Sequence, residues 1–358
     1  MEAKTNKLDF TGQNIYVGLD THKNSWKVTI LTDTVSHKTF SQDPVPEILY
    51  NYLKRNFPGA NYFSAYEASY CGYWIHYKLT ELGVKSIIVN PADIPTTNKE
   101  KIQKEDKRDS RKIAKCLRSQ DLTPIHIPSN KTIQDRTLMR TRYIIVKELS
   151  RFKNRIKSLL FFYGIKFPEE FYKSNTHWSK RFINWIETLS FEEDTAAYSL
   201  SVFIKQVTYL REILLDTTRK IRALSKTEAY YYKMTLLRSI PGIGLNTAML
   251  LLTELEDISR FKSLDKLCSY VGLIPSTNSS GDTETVGDIT SRKHKALNSA
   301  LIESSWIAIR HDPALLMKYS ELCKKMEGNK AIIRIAKKLL NRIRYVMKNE
   351  QEYVKAVA

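Results

Sequence analysis

Between Leu138 and Tyr163 the apolar residues Leu138, Ile145, Leu149, Phe152, Ile156, Leu159 and Tyr163 recur at alternating three- and four-residue steps, interrupted only at Arg142. That spacing keeps one face of a long helix apolar and commits the middle of the chain to helices lying side by side. A second run, Phe203, Val207, Leu210, Leu214, Thr217, Ile221 and Leu224, repeats the spacing. The two predict coiled-coil helices, paired within one chain as an antiparallel hairpin or across an interface between chains. The stretch between them, with Pro168, Trp178 and Trp185, reads as a shorter helical cap. At 358 residues the chain is long enough for several domains, each with its own core. The expected division is 1–128, 129–228 and 229–358.

The first of these parts has a different period. Ile15, Val17 and Leu19 alternate, and Trp26, Val28 and Ile30 repeat the alternation after a short turn, which predicts a two-stranded hairpin. Further strands are expected at Tyr62–Glu67 and Ser86–Val89, with a helix over Tyr73–Leu82 between them and another opening near Lys107. Strand, helix and strand in succession predict an α/β layered domain, followed by an all-α remainder. Beyond Tyr230 the chain reads as helical, with a loop-like interruption from Pro275 to Thr290.

Lys and Arg number 57 against 38 Asp and Glu, a formal net charge of +19. Such a surface attracts phosphate backbones, so nucleic acid is the expected partner. The last helix, Lys330 to Lys348, is two-faced: Ile332, Ile335, Leu339, Leu340 and Ile343 lie on one side. Arg334, Lys337, Lys338 and Arg342 lie opposite, where they track a phosphate backbone or simply meet solvent. The four cysteines are scattered without zinc-ligand spacing, the chain starts without a signal-peptide pattern, and no apolar run spans a bilayer. These features predict a soluble cytosolic protein with no membrane partner.

Against this basic background four acids stand in positions suited to chemistry. Asp20 closes the first strand and Glu67 the third, while Asp106 and Asp109, three apart, open a helix and share one side of it. Acids in a first helical turn are also favoured by the helix dipole. Strand ends beside a helix start can bring such groups onto a pair of divalent ions, the arrangement that clamps both oxygens in phosphoryl transfer. Hard carboxylate ligands favour Mg2+, with Mn2+ as the alternative. His22, Lys23 and His294 lie near the motifs; surface positions are expected for all three, with Lys23 a candidate contact to the scissile phosphate.

Asp20, Glu67, Asp106 and Asp109 resemble the Asp-Glu-Asp-Asp set of a RuvC-like, RNase H-type nuclease domain. With Gly18-Leu19-Asp20-Thr21-His22-Lys23 and Asp106-Lys107-Arg108-Asp109-Ser110, the chain resembles the IS110 family of insertion-sequence transposases, relatives of the Piv DNA invertases. The resemblance extends to Ser239-Ile240-Pro241-Gly242-Ile243-Gly244, Tyr270–Pro275 and Ser279-Ser280-Gly281, which look like that family's C-terminal transposase domain. It implies a recombinase in which Ser280, with Ser279 as fallback, attacks DNA to form a 5′-phosphoserine link at the Mg2+-dependent acid site. It further implies a non-coding bridge RNA that pairs with donor and target DNA, a dimer that assembles into a tetramer with one protomer's serine completing another's acid site, and a bacterial or archaeal cytosol at the nucleoid.

On physical grounds alone, Gly242 and Gly244 allow a tight turn whose N–H groups hold a phosphate, as in a helix-hairpin-helix element. A plain glycine turn between helices is the other reading. Two alternatives to the recombinase stay open: a junction-resolving endonuclease that uses water as its nucleophile, and a non-catalytic nucleic-acid binding protein.

Overall fold

The computed structural model describes the backbone of residues 9–95, 106–280, 283–289 and 293–355, and the side chains of 9–95, 109–274 and 293–355. The chain forms two compact units, Met1–Ile127 and Pro128–Ala358.

The first unit is built on strands β1 (Asn14–Thr21), β2 (Trp26–Thr32), β3 (Ser36–Gln42), β4 (Asn61–Glu67) and β5 (Lys85–Val89), ordered β3-β2-β1-β4-β5. β1, β2 and β3 pair antiparallel, whereas β4 runs parallel to both β1 and β5. The chain thus builds the sheet outward from β1 in one direction, crosses over through helix α1 (Pro46–Asn56), and resumes on the other side of β1. Between β4 and β5 lies α2 (Trp74–Glu81). The order of strands therefore reverses at the β1–β4 border. In open sheets with parallel strands, ligands bind at the carboxyl ends of the strands beside such a border.

Alternation in β1 splits its side chains between two layers. Ile15, Val17 and Leu19 join Trp26, Val28, Ile30, Leu49, Leu53, Tyr66, Ile75 and Leu79 in one buried layer, which α1 and α2 cover. Gly18 and Asp20 point to the opposite face, where α3 (Asp106–Arg118) packs. There Ala65 and Val89 meet Ile113. Two elements were not foreseen. β3 reads Ser-His-Lys-Thr-Phe-Ser-Gln, an edge strand exposed along most of its length, so it carries no apolar alternation. α1 does carry a signal, because Leu49, Leu53 and Phe57 recur every fourth residue and all three are buried.

In the second unit α4 (Asn130–Phe162) and α6 (Asp194–Leu224) lie antiparallel within one chain. Arg142 meets Thr218 and Phe152 meets Phe203, so one helix ascends as the other descends. Leu149, Ile156, Leu160, Leu200, Ile204 and Val207 form the seam, and α5 (Lys180–Glu187) adds Phe182 and Ile186. Phe182 packs edge-on to Phe167 and Phe171, which gives the cap an aromatic core.

The remaining helices are α7 (Glu228–Arg238), α8 (Leu245–Leu255), α9 (Leu264–Val271), α10 (Lys295–His311), α11 (Pro313–Cys323) and α12 (Gly328–Asn349). They share a core into which α4 and α6 send Met139 and Ile221. The segment expected to be a loop from Pro275 to Thr290 instead holds two antiparallel strands, β6 (Pro275–Ser280) and β7 (Thr283–Ile289). Its Ser, Thr, Asn and Asp residues hide the pattern, since a two-stranded ribbon holds its backbone bonds without an apolar face. Among the described residues no helix is long and apolar enough to cross a membrane.

Candidate active site

Asp20 and Glu67 occupy equivalent places on neighbouring parallel strands. Leu19 pairs with Tyr66, so the next residue on each strand is one of these acids, and both lie at the carboxyl ends beside the β1–β4 border. Both share the face of Gly18 and Ala65, the face that α3 covers. The direction of α3 follows from its two ends. Ser110 sits over Gly18 and shares a 2.9 Å hydroxyl contact with Thr29, while Arg118 donates to the Thr32 carbonyl at the far end of β2. The first turn of α3, with Asp106 and Asp109, is therefore at the Asp20–Glu67 end of the sheet. Asp109 is half-buried there. The side chain of Asp106 lies outside the described residues.

His22 places Nε2 3.1 Å from Asp20 Oδ2, and Lys23 is exposed in the same β1–β2 turn. Among the described residues no group of three or more His, Cys, Asp or Glu side chains is close enough to hold a metal ion. The acids at this end, Asp20, Glu67 and Asp109, offer hard carboxylate oxygens, with the His22 imidazole beside Asp20, and those oxygens suit Mg2+ or Mn2+.

In the second unit the Ile240–Gly244 segment is the turn between α7 and α8. Gly242 has φ +87° and rests on α10, where a Cβ would stand 2.3 Å from the Ser304 carbonyl and 3.0 Å from the Ala308 nitrogen. Gly18 is enclosed in the same way by α3, at 2.1 Å from the Ser110 carbonyl and 2.4 Å from the Ala114 nitrogen. Each glycine faces a serine and, four residues on, an alanine, so helix backbone approaches it directly. Gly244 has open space around it and starts α8 without a side-chain cap. Gly18→Ala and Gly242→Ala are each expected to destabilise the protein by about 1–3 kcal/mol through overpacking. Gly244→Ala should stay within about 1 kcal/mol. Denaturant midpoints of the three variants check this.

The side chains of Ser279 and Ser280 lie outside the described residues; their backbone belongs to β6. The segments on either side of this hairpin are held together. Gly272 (φ +81°) lets Lys293 approach to where a Cβ would stand 2.0 Å away, and Asn298 donates to the Gly272 carbonyl at 2.9 Å.

Beside them is a buried ion cluster. Glu254, 1% exposed, receives a two-point fork from Arg140 (2.8 and 2.9 Å), Arg136 Nε at 3.3 Å and His294 Nε2 at 3.2 Å. Burial alone would raise the Glu254 carboxyl; the bonds from His294 and Arg140 outweigh it and hold the group at about 2. His294 Nδ1 accepts from the Leu297 N–H, which caps α10 and leaves the ring proton on Nε2 toward Glu254. Its ring stacks on Tyr270. The expected surface position of His294 is thus corrected: it joins α4, α8 and α10 at the foot of the hairpin. No local pattern marks Glu254, because its arginine partners precede it by more than a hundred residues.

The basic face of α12 is divided. Arg334 and Lys338 are exposed. Lys337 pairs with Asp265 at 3.0 Å. Arg342 turns inward, bonding Asp312 at 2.5 Å and lying over the Tyr353 ring, while Asp312 caps α11. Arg342 is built into the fold, which leaves Arg334 and Lys338 as the members of the set open to a phosphate.

Comparison with known proteins adds independent findings. Residues 17–165 match a family model for transposases of the DEDD type in IS110 elements, and residues 234–320 match a model for transposases of the IS116/IS110/IS902 family. The chain is 25% identical to a putative transposase, y4qE, of Sinorhizobium fredii, over 71% of this chain and 60% of that one. It is 27% identical to the transposase for insertion sequence element IS1533 of Leptospira borgpetersenii, over 68% of this chain and 70% of that one. A second Sinorhizobium fredii putative transposase, y4rJ, is 25% identical over 91% of this chain and 90% of its own length.

Proposed function

The chain belongs to the IS110 family of transposases, and from that premise we propose that it cuts and rejoins DNA at the acid end of its N-terminal sheet. The observation that carries this reading is the matched placement of Asp20 and Glu67 at the β1–β4 border, with the first turn of α3 at the same end. A fold of this order, with a helix start supplying further acids, supports a RuvC-like assignment for the unit. Asp20, Glu67, Asp106 and Asp109 would hold Mg2+, with Mn2+ as a substitute. Bound there, the cation supplies positive charge to a scissile phosphate.

The chain's own residues do the rest. The acids would fix the position of the cation at the strand ends, Lys23 and the exposed Arg334 and Lys338 meet phosphates, and Gly244 leaves room for backbone at the start of α8. Ser280 is the nucleophile: its Oγ forms the bond to phosphorus, the bond from phosphorus to the 3′-oxygen breaks, and the departing 3′-oxygen takes up a proton. The 5′-phosphoserine so formed conserves the phosphodiester energy for rejoining. Guidance by a bridge RNA and assembly through a dimer into a tetramer complete the reading, the RNA supplying sequence choice and the protein gripping backbone.

The test incubates the full chain with Mg2+, DNA containing the element's ends and RNA transcribed from the element's flanks. A protease-sensitive protein–DNA adduct is expected, absent from Ser280→Ala and retained in Ser279→Ala. Hydrolysis that persists in Ser280→Ala without any adduct in the parent protein would instead identify an endonuclease that uses water. DNA binding with no cleavage would identify a non-catalytic binding protein.

A further inference from the structure

The segment between Glu67 and α2 displays two large aromatic rings to solvent. Tyr70 is 72% exposed and Trp74 50%, although both belong to a tightly fixed stretch of chain. The Ala68 N–H bonds the Val89 carbonyl at 2.8 Å. Tyr66, fully buried, donates its hydroxyl proton to the Gly72 carbonyl and accepts from the His76 N–H, each at 3.1 Å. Cys71 Sγ lies 3.6 Å from the Thr21 carbonyl, at the end of β1. Trp74 rests against the buried Trp26, ring centroids 6.2 Å apart. Tyr70 lies near the neighbouring turn that carries Lys23 and Asp20.

What distinguishes these two exposed rings is that buried anchors, Tyr66 and Trp26, hold the segment that carries them in place. Its surroundings define what covers it. Both rings flank the end of β1: Tyr70 precedes Cys71, which meets the Thr21 carbonyl, and Trp74 rests on Trp26, which pairs with Thr21, with Lys23 two residues further along and a chain charge of +19. Exposed π faces on a basic chain, near a lysine-bearing turn, fit a nucleobase with its phosphate. Bases paired within a duplex are already stacked on each other, so the base must be an unpaired one.

We propose that Tyr70 and Trp74 form a stacking platform for an unpaired base of the DNA strand that enters the Asp20–Glu67 site. This rests on the reading that the acids act on DNA, and it goes further by specifying the local state of the substrate: opened at the scissile step. The platform selects strand-separated DNA over intact duplex by offering the displaced base a place to stack.

The test uses the full chain and two DNA probes, an intact duplex and the same duplex interrupted by a single-stranded gap. Trp74 is one of five tryptophans, so its emission is isolated as the difference between the parent protein and Trp74→Phe. Quenching of that emission by gapped DNA, and little by intact duplex, is expected. Tyr70→Ala with Trp74→Ala should weaken binding of the gapped probe by about ten- to a hundred-fold, while Tyr70→Phe with Trp74→Phe keeps most of the affinity. Thermal unfolding confirms that the variants remain folded, and the quenching experiment needs no alanine variant.

Equal quenching by both probes, quenching by single-stranded RNA alone, or equal losses from phenylalanine and alanine would overturn the platform. So would self-association of the chain that buries these rings without DNA. Measured in Asp20→Asn, the quenching separates the two ideas. Stacking in a protein whose parent never cuts DNA would sink the catalytic reading alone, and cutting without stacking would sink the platform alone.

Discussion

Asp20→Asn is expected to lower DNA strand cleavage by about a thousand-fold or more while the protein stays folded and bound to DNA. The substitution keeps size and hydrogen-bonding capacity and removes only the negative charge from the end of β1. Glu67→Gln at the matching place on β4 should have the same effect. Combining the two should add little, because groups that act on one centre lose their function together. Cleavage assays on element-end DNA, with binding and thermal unfolding as controls, check all three variants. Activity within about tenfold of the parent in either single variant would break the assignment of these acids to one centre.

Glu254→Ala is expected to cost about 3–5 kcal/mol in stability, the penalty for leaving buried charge without its partner. Arg136, whose side chain is 8% exposed, cannot regain water by rotating outward. Glu254→Gln keeps the shape and part of the bonding, so its loss should be smaller. The pH dependence has a definite sign. The Glu254 carboxyl lies at about 2 in the folded protein, below its ordinary 4.5. Its contribution is therefore complete above about pH 4.5 and is lost as the pH falls toward 2. The whole effect is on the order of 3 kcal/mol. Urea unfolding of parent and Glu254→Gln across that window should show the two curves converging at the acid end.

The readable parts of the fold were those with a periodic apolar signal. Ile15, Val17 and Leu19 disclosed β1, and the three-four spacing around Leu149 and Val207 disclosed the two long helices. Polar strands stayed hidden: β3 at the sheet edge and the β6–β7 ribbon bury too little to need alternation. Asp20 and Glu67 could be picked out because each ends a strand, and strand ends are where a sheet offers side chains to a ligand. Their adjacency is a different matter, set by the pairing of β1 with β4 across the whole α1 crossover. Glu254 had no such foothold, since its meaning lies in Arg136, Arg140 and His294, gathered only by tertiary packing. Gly18 and Gly242 look alike in sequence to any turn glycine; what distinguishes them is the helix that lands on each.

With 33 residues, α4 extends about 50 Å as a rod. Arg136 and Arg140 fasten its lower end to Glu254, so the carboxylate works as the pivot of a lever. A tilt of one degree there carries the opposite extremity, about 36 Å away, through roughly 0.6 Å. Small adjustments at a pivot buried in the C-terminal core are thereby amplified along the arm.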